Sequence, residues 1–283
     1  MDLSSERVLV TGAGGFIGAE LCRQLLEQGL EVHGLVRERP APEGVTPHRV
    51  SLLHERDLLK LVERLRPARI VHLASPVDPS RRTSLRWMFE DIVLASGQVA
   101  HAALSVGAFL VQVGTCEEYG DGPTPFRESQ AAAPVSPYSL AKLAASQQAL
   151  MLHRSQGLRC CVARPFLTYG PGQRGPRLVP SAIRAALAGE VFRTTAGTQT
   201  RELNHVSDIA RGLRLCDERL NGRVVNLGGG EEVRVRDLVD RIWAICEADP
   251  ALIVRDLPQR EGEVERFHGD HSLARELLGF SPR

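Results

Sequence analysis

Short apolar pulses recur along the chain. Val8 to Val10 lies between Arg7 and Thr11, and similar runs return at Glu31 to Val36, Arg69 to Leu73, Phe109 to Val113 and Leu158 to Ala163. Each is too short for a helix and reads as a strand buried on both faces. Between the pulses the apolar residues fall three and four apart. Ile17, Leu21, Leu25 and Leu26 share one face of a helix predicted over Phe16 to Gln28 and ended by Gly29. The same spacing predicts helices around Asp57 to Leu65 and over Met88 to Ser105. A further helix starts at Ser136, which suits the N-cap, with Pro137 in the first turn. Another apolar piece near His48 to Leu53 predicts a strand. Strand and helix alternate, which predicts an α/β fold, a Rossmann-type doubly wound parallel sheet with both faces covered.

After Arg164 the rhythm breaks. Tyr169-Gly170-Pro171-Gly172 and Gly175-Pro176 form loops, and short helices and strands follow. The expected division is a dinucleotide-binding core over residues 1–165, with 203–228 returning to it through a strand at Val224 to Leu227. Residues 166–202 and 229–283 are expected to make a smaller substrate-binding lobe.

Composition narrows the class. The 283 residues are 43% hydrophobic and 24% charged, with a net charge of +1. That balance argues against a nucleic-acid or anionic-membrane binder. Arg, Glu, His or Gly interrupts every apolar run, so no membrane span is expected. The first strand begins too early to leave room for a signal peptide, and a cytoplasmic protein is expected. Cys22, Cys116, Cys160, Cys161, Cys216 and Cys246 show no CxxC spacing and read as reduced thiols. Cys160 and Cys161 are expected on opposite faces of a strand. His268 and His271 lack a third ligand nearby and are expected at the surface, so no metal is expected.

Three features carry chemistry. Gly12, Gly15 and Gly18 are spaced G-x-x-G-x-x-G between the first strand and the first helix. In that setting the first glycine permits a tight turn, the second a close approach to a pyrophosphate, and the third close helix–strand packing. The helix N-terminus then offers unpaired N–H groups to phosphate. At the end of the second strand stands Val36-Arg37-Glu38-Arg39. Arg37 sits where a guanidinium grips the 2′-phosphate of NADP(H), which favours that cofactor. The alternative is a solvated charge cluster with Glu38 turned in to NAD(H). Thr115 follows the strand Phe109 to Val113, at the ligand-binding end of such sheets. Tyr138 and Lys142, four apart in the predicted helix, share a face. A tyrosine near pKa ~10 becomes a usable acid or base beside an ammonium and a helix N-terminus. Thr115, Tyr138 and Lys142 are therefore the candidate catalytic trio, with Lys142 also suited to hold a nicotinamide ribose.

With these residues assembled, the chain resembles the extended short-chain dehydrogenase/reductase family, in its nucleotide-sugar epimerase/dehydratase/reductase group. The segments that carry the resemblance are Val10 to Gly18, His72-Leu73-Ala74, Thr115 to Gly120, Ser136 to Lys142, Arg164 to Gly172, Thr200-Arg201-Glu202 with Asp208, and Arg260-Glu261-Gly262-Glu263. The resemblance implies that Phe16, Ile17, Leu73, Ala74, Ser75 and Pro165 join the glycines, Arg37, Tyr138 and Lys142 around the cofactor. It implies a nucleotide-diphosphate sugar against Thr115, Cys116, Glu117 and Leu167, its diphosphate held by Arg201 and Arg260. It also implies a homodimer that pairs the 88–105 and Tyr138 helices in a four-helix bundle, and a further helix after Arg283. Two positions depart from the family pattern. Ser51 stands where an acid is usual on the adenine side, and Leu167 stands where Asn is common.

The reaction is narrowed by position 116. Family dehydratases often carry Thr-Asp-Glu where this chain has Thr115-Cys116-Glu117, and a thiol is a poor acid for a leaving hydroxyl. The expected order is an NADPH-dependent 4-ketoreductase of a 4-keto-6-deoxy nucleotide sugar, then a 4-epimerase with bound NAD, then a 4,6-dehydratase using Glu117 as base. A non-catalytic NADP(H) sensor or scaffold is the reading from a different class.

Overall fold

The computed structural model describes residues 6–75, 84–259 and 263–282. The first half alternates as β1 (Arg7–Thr11), α1 (Phe16–Glu27), β2 (Glu31–Leu35), β3 (Thr46–His48), α2 (Glu55–Leu65), β4 (Arg69–His72), α3 (Leu85–Met88), α4 (Ala95–Val106), β5 (Phe109–Val113), α5 (Pro137–Gln156) and β6 (Cys160–Pro165). The second half holds β7 (Leu167–Tyr169), α6 (Leu178–Ala188), β8 (Phe192–Arg193), β9 (Thr200–His205), α7 (Val206–Leu215), β10 (Val224–Leu227), β11 (Glu232–Arg234), α8 (Val235–Ile245), β12 (Ile253–Val254), β13 (Arg266–Phe267) and α9 (Ser272–Leu278).

Seven strands form one sheet in the order β10-β6-β5-β4-β1-β2-β3, and every pairing in it is parallel. The order reverses between β1 and β4, which opens a crevice at the strands' carboxyl ends. Two apolar cores cover the faces. Val8, Val10, Leu21 and Leu25 pack with Ile209, Leu213 and Phe280 on one side. Leu9, Leu58, Ile70, Val99 and Leu110 pack on the other. Cys161 belongs to the first core and Cys160 to the second, so the adjacent thiols point to opposite faces as alternation requires.

Local signals explain most boundaries. Ser136 caps α5 through its side chain, and Gly157 ends the helix at φ +76°. The helix predicted over residues 88–105 runs from Leu85 to Val106, with a π-helical segment at Phe89–Leu94 between α3 and α4. The third strand falls at Thr46–His48 rather than His48–Leu53. It is an edge strand of three residues, and the chain then turns at Ser51–His54, leaving Val50 and Leu52 to pack from a loop. The sixth strand starts later than predicted, because Leu158 folds back onto the end of α5, and it runs on through Arg164 to Pro165.

A smaller sheet gathers β7, β9, β11 and β13, with β8 and β12 paired beside it. Helices α6 and α8 cover this lobe around Val179, Val239, Ile242 and Trp243. The stretch 229–283, expected in the smaller lobe, ends in α9, whose Ala274 and Leu278 pack instead into the main-sheet core.

Glu202 on β9 ties lobe to core. Its carboxylate accepts hydrogen bonds from Asn204 Nδ2 (3.1 Å), Gly229 N (2.9 Å) and Gly269 N (2.8 Å), and meets His271 Nε2 at 2.9 Å. Burial pushes this carboxyl up, but His271 and the N–H donors hold it below the ordinary value. His268 and His271 are thus buried, not at the surface as expected. Each is paired with a carboxylate, His268 with Glu232 at 3.2 Å. The described residues hold no cluster of three metal-ligating side chains and no helix long and apolar enough to cross a membrane.

Candidate active site

The glycine turn is built against its own backbone. Gly12 has φ +72°, and a Cβ built there would lie 3.0 Å from Ala74 N. A Cβ on Gly15 would stand 2.9 Å from the Gly12 carbonyl oxygen, and one on Gly18 would stand 2.2 Å from that same oxygen. Any side chain at these positions would fill the cradle or force the helix off the strand. No side chain caps the start of α1, so the N–H groups at Phe16, Ile17 and Gly18 begin the helix without a side-chain acceptor. Beside the turn, Ala74 N donates to Thr11 Oγ1 at 3.1 Å, and Ser75 Oγ is buried without a hydrogen-bond partner among the described residues. A capless helix start, a turn that excludes side chains and an orphaned hydroxyl fit a dinucleotide phosphate.

Arg37 follows β2 and is 75% exposed, with Glu38 3.4 Å away and 82% exposed. The segment after it lies on the glycine turn, because a Cβ on Gly14 would meet the Pro40 carbonyl oxygen at 2.6 Å and that of Arg39 at 2.8 Å. Ser51 sits in the exposed turn after β3.

The candidate trio stands on β5 and α5. Thr115 leaves β5 in extended backbone, and its Oγ1 accepts a hydrogen bond from Glu117 N at 3.3 Å. Lys142 is buried, and its Nζ donates to the Val113 carbonyl two residues before Thr115. Burial pulls the Lys142 ammonium down to about 8, against the opposing pull of Glu118 and Glu117. Tyr138, one turn earlier, is half-buried and packs beside Met88, Ile92, Ala141 and Ala145.

Two further groups, Glu118 and His72, support this arrangement, and the sequence assigned neither a role. Glu118 completes a capping box with Thr115 by accepting its backbone N–H at 3.0 Å. It also accepts from Ser146 Oγ, one turn beyond Lys142, at 3.0 Å and pairs with Arg164 at 2.8 Å. The Thr-x-x-Glu spacing of residues 115–118 was the available signal. His72 meets Thr11 Oγ1 through Nδ1 at 2.7 Å and Ser96 Oγ through Nε2 at 3.0 Å. Burial, and then the Lys142 charge, hold the His72 imidazole down at about 3, so it is neutral. No local signal in the sequence links His72 to Ser96.

Other candidates are placed differently. The Cys116 side chain is buried with Tyr119, Phe126, Phe166 and Phe267. Burial, then Glu117 and Glu202, push its thiol well above the ordinary value. Glu117 lies in the short 3₁₀ turn Cys116–Tyr119. Pro165 ends β6 and Leu167 begins β7. The Arg201 guanidinium donates to the Thr200 and Val264 carbonyls and pairs with Glu263 at 2.8 Å, so protein groups already occupy its fork. Arg260 lies outside the described residues.

Residues 8–228 match the model of the NAD dependent epimerase/dehydratase family. A dTDP-glucose 4,6-dehydratase from Streptomyces niveus is 32% identical, covering 98% of this chain and 88% of its own length. A GDP-6-deoxy-D-mannose reductase from Pseudomonas aeruginosa is 27% identical, with 98% of this chain and 92% of that protein covered. The crystal structure of a UDP-glucose 4-epimerase with UDP-glucose, from Thermotoga maritima, superposes with a TM-score of 0.91 at 26% identity, over 98% of this chain and 94% of that one.

Proposed function

The chain belongs to the NAD dependent epimerase/dehydratase family, and from that premise we propose that it is an NADPH-dependent ketoreductase acting at C4 of a 4-keto-6-deoxy nucleotide sugar. The observation that carries this choice is the thiol at position 116. It is enclosed among aromatic rings and held protonated. An elimination needs an acid there, whereas ketone reduction needs only Thr115, Tyr138 and Lys142.

The turn at Gly12, Gly15 and Gly18 would hold the dinucleotide's pyrophosphate at the start of α1, with Leu73, Ala74, Ser75 and Pro165 along its length. Arg37 would face a 2′-phosphate. When bound, the reduced cofactor supplies the hydride. Tyr138 gives its phenolic proton to the carbonyl oxygen as that oxygen gains charge. Lys142, charged at neutral pH and held by the Val113 carbonyl, stabilises the phenolate left behind. Thr115 Oγ1 accepts from Glu117 N–H with one lone pair, and its hydroxyl proton would be donated to the substrate oxygen. Leu167 and the backbone of Cys116 would border the sugar. Arg201 would reach a diphosphate by exchanging Glu263 for phosphate, joined by Arg260.

Glu117 supports a second reading. Its charge is felt at both Lys142 and Cys116, a position from which it serves a dehydratase as base or a reductase as a sugar-hydroxyl acceptor. The proposal also includes a homodimer. Trp87, Phe89 and Leu94 near the π-helical segment and Leu140 and Met151 on α5 are apolar and exposed, which supports burial of these helices against a second copy.

The test is NADPH oxidation by purified protein with a panel of 4-keto-6-deoxy nucleotide sugars. Turnover that falls by about 10²-fold or more in Tyr138→Phe, with cofactor binding retained, is expected. Interconversion of gluco and galacto nucleotide sugars without added cofactor would replace the reductase with the epimerase. Release of a 4-keto-6-deoxy product from a nucleotide-hexose would replace it with the dehydratase. Unchanged phenotypes in Tyr138→Phe, with Arg37→Ala abolishing them, would favour the sensor.

A further inference from the structure

We infer that Arg49 is a second specificity-determining residue for the cofactor's 2′-phosphate, acting beside Arg37. This rests on the NADP(H) reading above and names a residue that the sequence did not suggest.

The argument begins with strand register. β2 and β3 pair in parallel with Leu35 opposite His48, and Val36 N donates to the His48 carbonyl at 3.0 Å. The residues that follow, Arg37 and Arg49, therefore leave two neighbouring strands at the same carboxyl edge. Arg49 is tied there, since its Nη1 donates to the Arg37 carbonyl at 2.9 Å. A long side chain held through one N–H has already lost much of its freedom, so its remaining donors are preorganised for a ligand.

Charge points the same way. Arg49 makes no ion pair among the described residues, and Arg37 has only the exposed Glu38 at 3.4 Å. The Arg49 guanidinium is thus anchored on the backbone of Arg37, at an edge whose nearest paired carboxylate is the solvated Glu38. A dianion at this edge would meet two cationic side chains that leave neighbouring strand ends, and it could accept from both forks. The edge is also joined to the phosphate cradle, because the Arg39–Pro40 backbone lies on Gly14. An adenosine whose 5′-phosphates sit on the glycine turn would bring its 2′ substituent toward this edge. An NAD-selecting site needs an acceptor for the ribose diol here, and a second cation works against one.

The test is calorimetry on the intact chain with adenosine 2′,5′-bisphosphate and adenosine 5′-monophosphate as probes. The expected result is a clear preference of the wild-type chain for the bisphosphate. Arg49→Gln should reduce that preference by about tenfold or more while leaving monophosphate affinity and Tm unchanged, and Arg49→Lys should restore part of it. The preference should also shrink as salt is raised. If the wild type prefers the bisphosphate and Arg49→Gln does so equally, Arg49 is only a loop tether and the inference fails while the NADP(H) reading stands. If the wild type shows no preference, the reading of Arg37 fails and this inference with it. Loss of both affinities together in Arg49→Gln would show a loop-folding role and also overturn it.

Discussion

Glu118 and Arg164 form an ion pair at 2.8 Å with both side chains out of water, 0% and 3% exposed. Glu118 stands in the 3₁₀ turn after β5, and Arg164 stands on β6. The pair bridges the two strand ends from which Thr115 and the β6–β7 crossing depart. Its remaining acceptor capacity is taken by Thr115 N and Ser146 Oγ, so the same carboxylate locates the strand end that carries Thr115 and the helix that carries Lys142.

Removing one partner should be costly. Arg164→Met leaves a buried carboxylate uncompensated and is expected to lower stability by about 3–5 kcal/mol. The double variant Glu118→Leu with Arg164→Met should cost less than the sum of the singles, because no charge is then stranded. Urea unfolding of the four chains measures the coupling, and additivity would show that the pair is not the unit described.

Lys142 gives a pH signature with a definite sign. Its folded value of about 8 lies below the ordinary lysine value of 10.5. Between these values the unfolded chain binds more protons, so the penalty for burying the ammonium is full below about 8 and is relieved as pH rises to 10.5. Stability of the wild type relative to Lys142→Met should therefore rise with pH across this window, by at most about 1.4 kcal/mol per pH unit. Turnover should move the other way. It should decline above pH ~8, because the ammonium proposed to stabilise the phenolate is lost there. Denaturation and pH–rate profiles on the same preparations separate the two effects.

Gly18→Ala tests the cradle. The new methyl would lie 2.2 Å from the Gly12 carbonyl oxygen, a backbone contact that no rotamer relieves. The helix must move off the strand, and NADPH affinity by fluorescence titration should fall by about tenfold or more. Gly29→Ala is the control. Gly29 has nothing within 4 Å of its Cβ position, although its φ of +76° adds strain, so it should lose some stability but no cofactor affinity.

The exposed apolar helices make the assembly testable. Leu94→Asp together with Leu140→Asp places charges on the face that would be buried between copies, while both side chains already meet solvent in one copy. Sedimentation velocity should show a dimer for the wild type and a monomer for the double variant, with the monomer's fold intact by circular dichroism. A monomeric wild type at micromolar concentration would remove the dimer from the proposal.

Local order along the chain determined the nucleotide-binding half. Five apolar pulses with amphipathic helices between them admit few arrangements other than a parallel sheet covered on both faces. The Ser136-Pro137 start likewise sets Tyr138 and Lys142 one turn apart in the helix it opens. These features are local, so spacing suffices to read them.

What tertiary structure alone decided are the long-range polar partners. Glu118 reaches Arg164 across 46 positions, Glu202 reaches His271 across 69, and His72 reaches Ser96 across 24. The register of β2 on β3, which brings Arg49 to Arg37, belongs with them. Nothing in spacing predicts such pairs, because a charge in a sequence looks the same whether water or another chain segment solvates it. Burial makes the difference: once a group leaves water it must find its partner wherever the fold brings one. That is why histidines 268 and 271 read as surface residues and proved to be buried, and why the thiol at 116 was legible as a substitution but its enclosure was not.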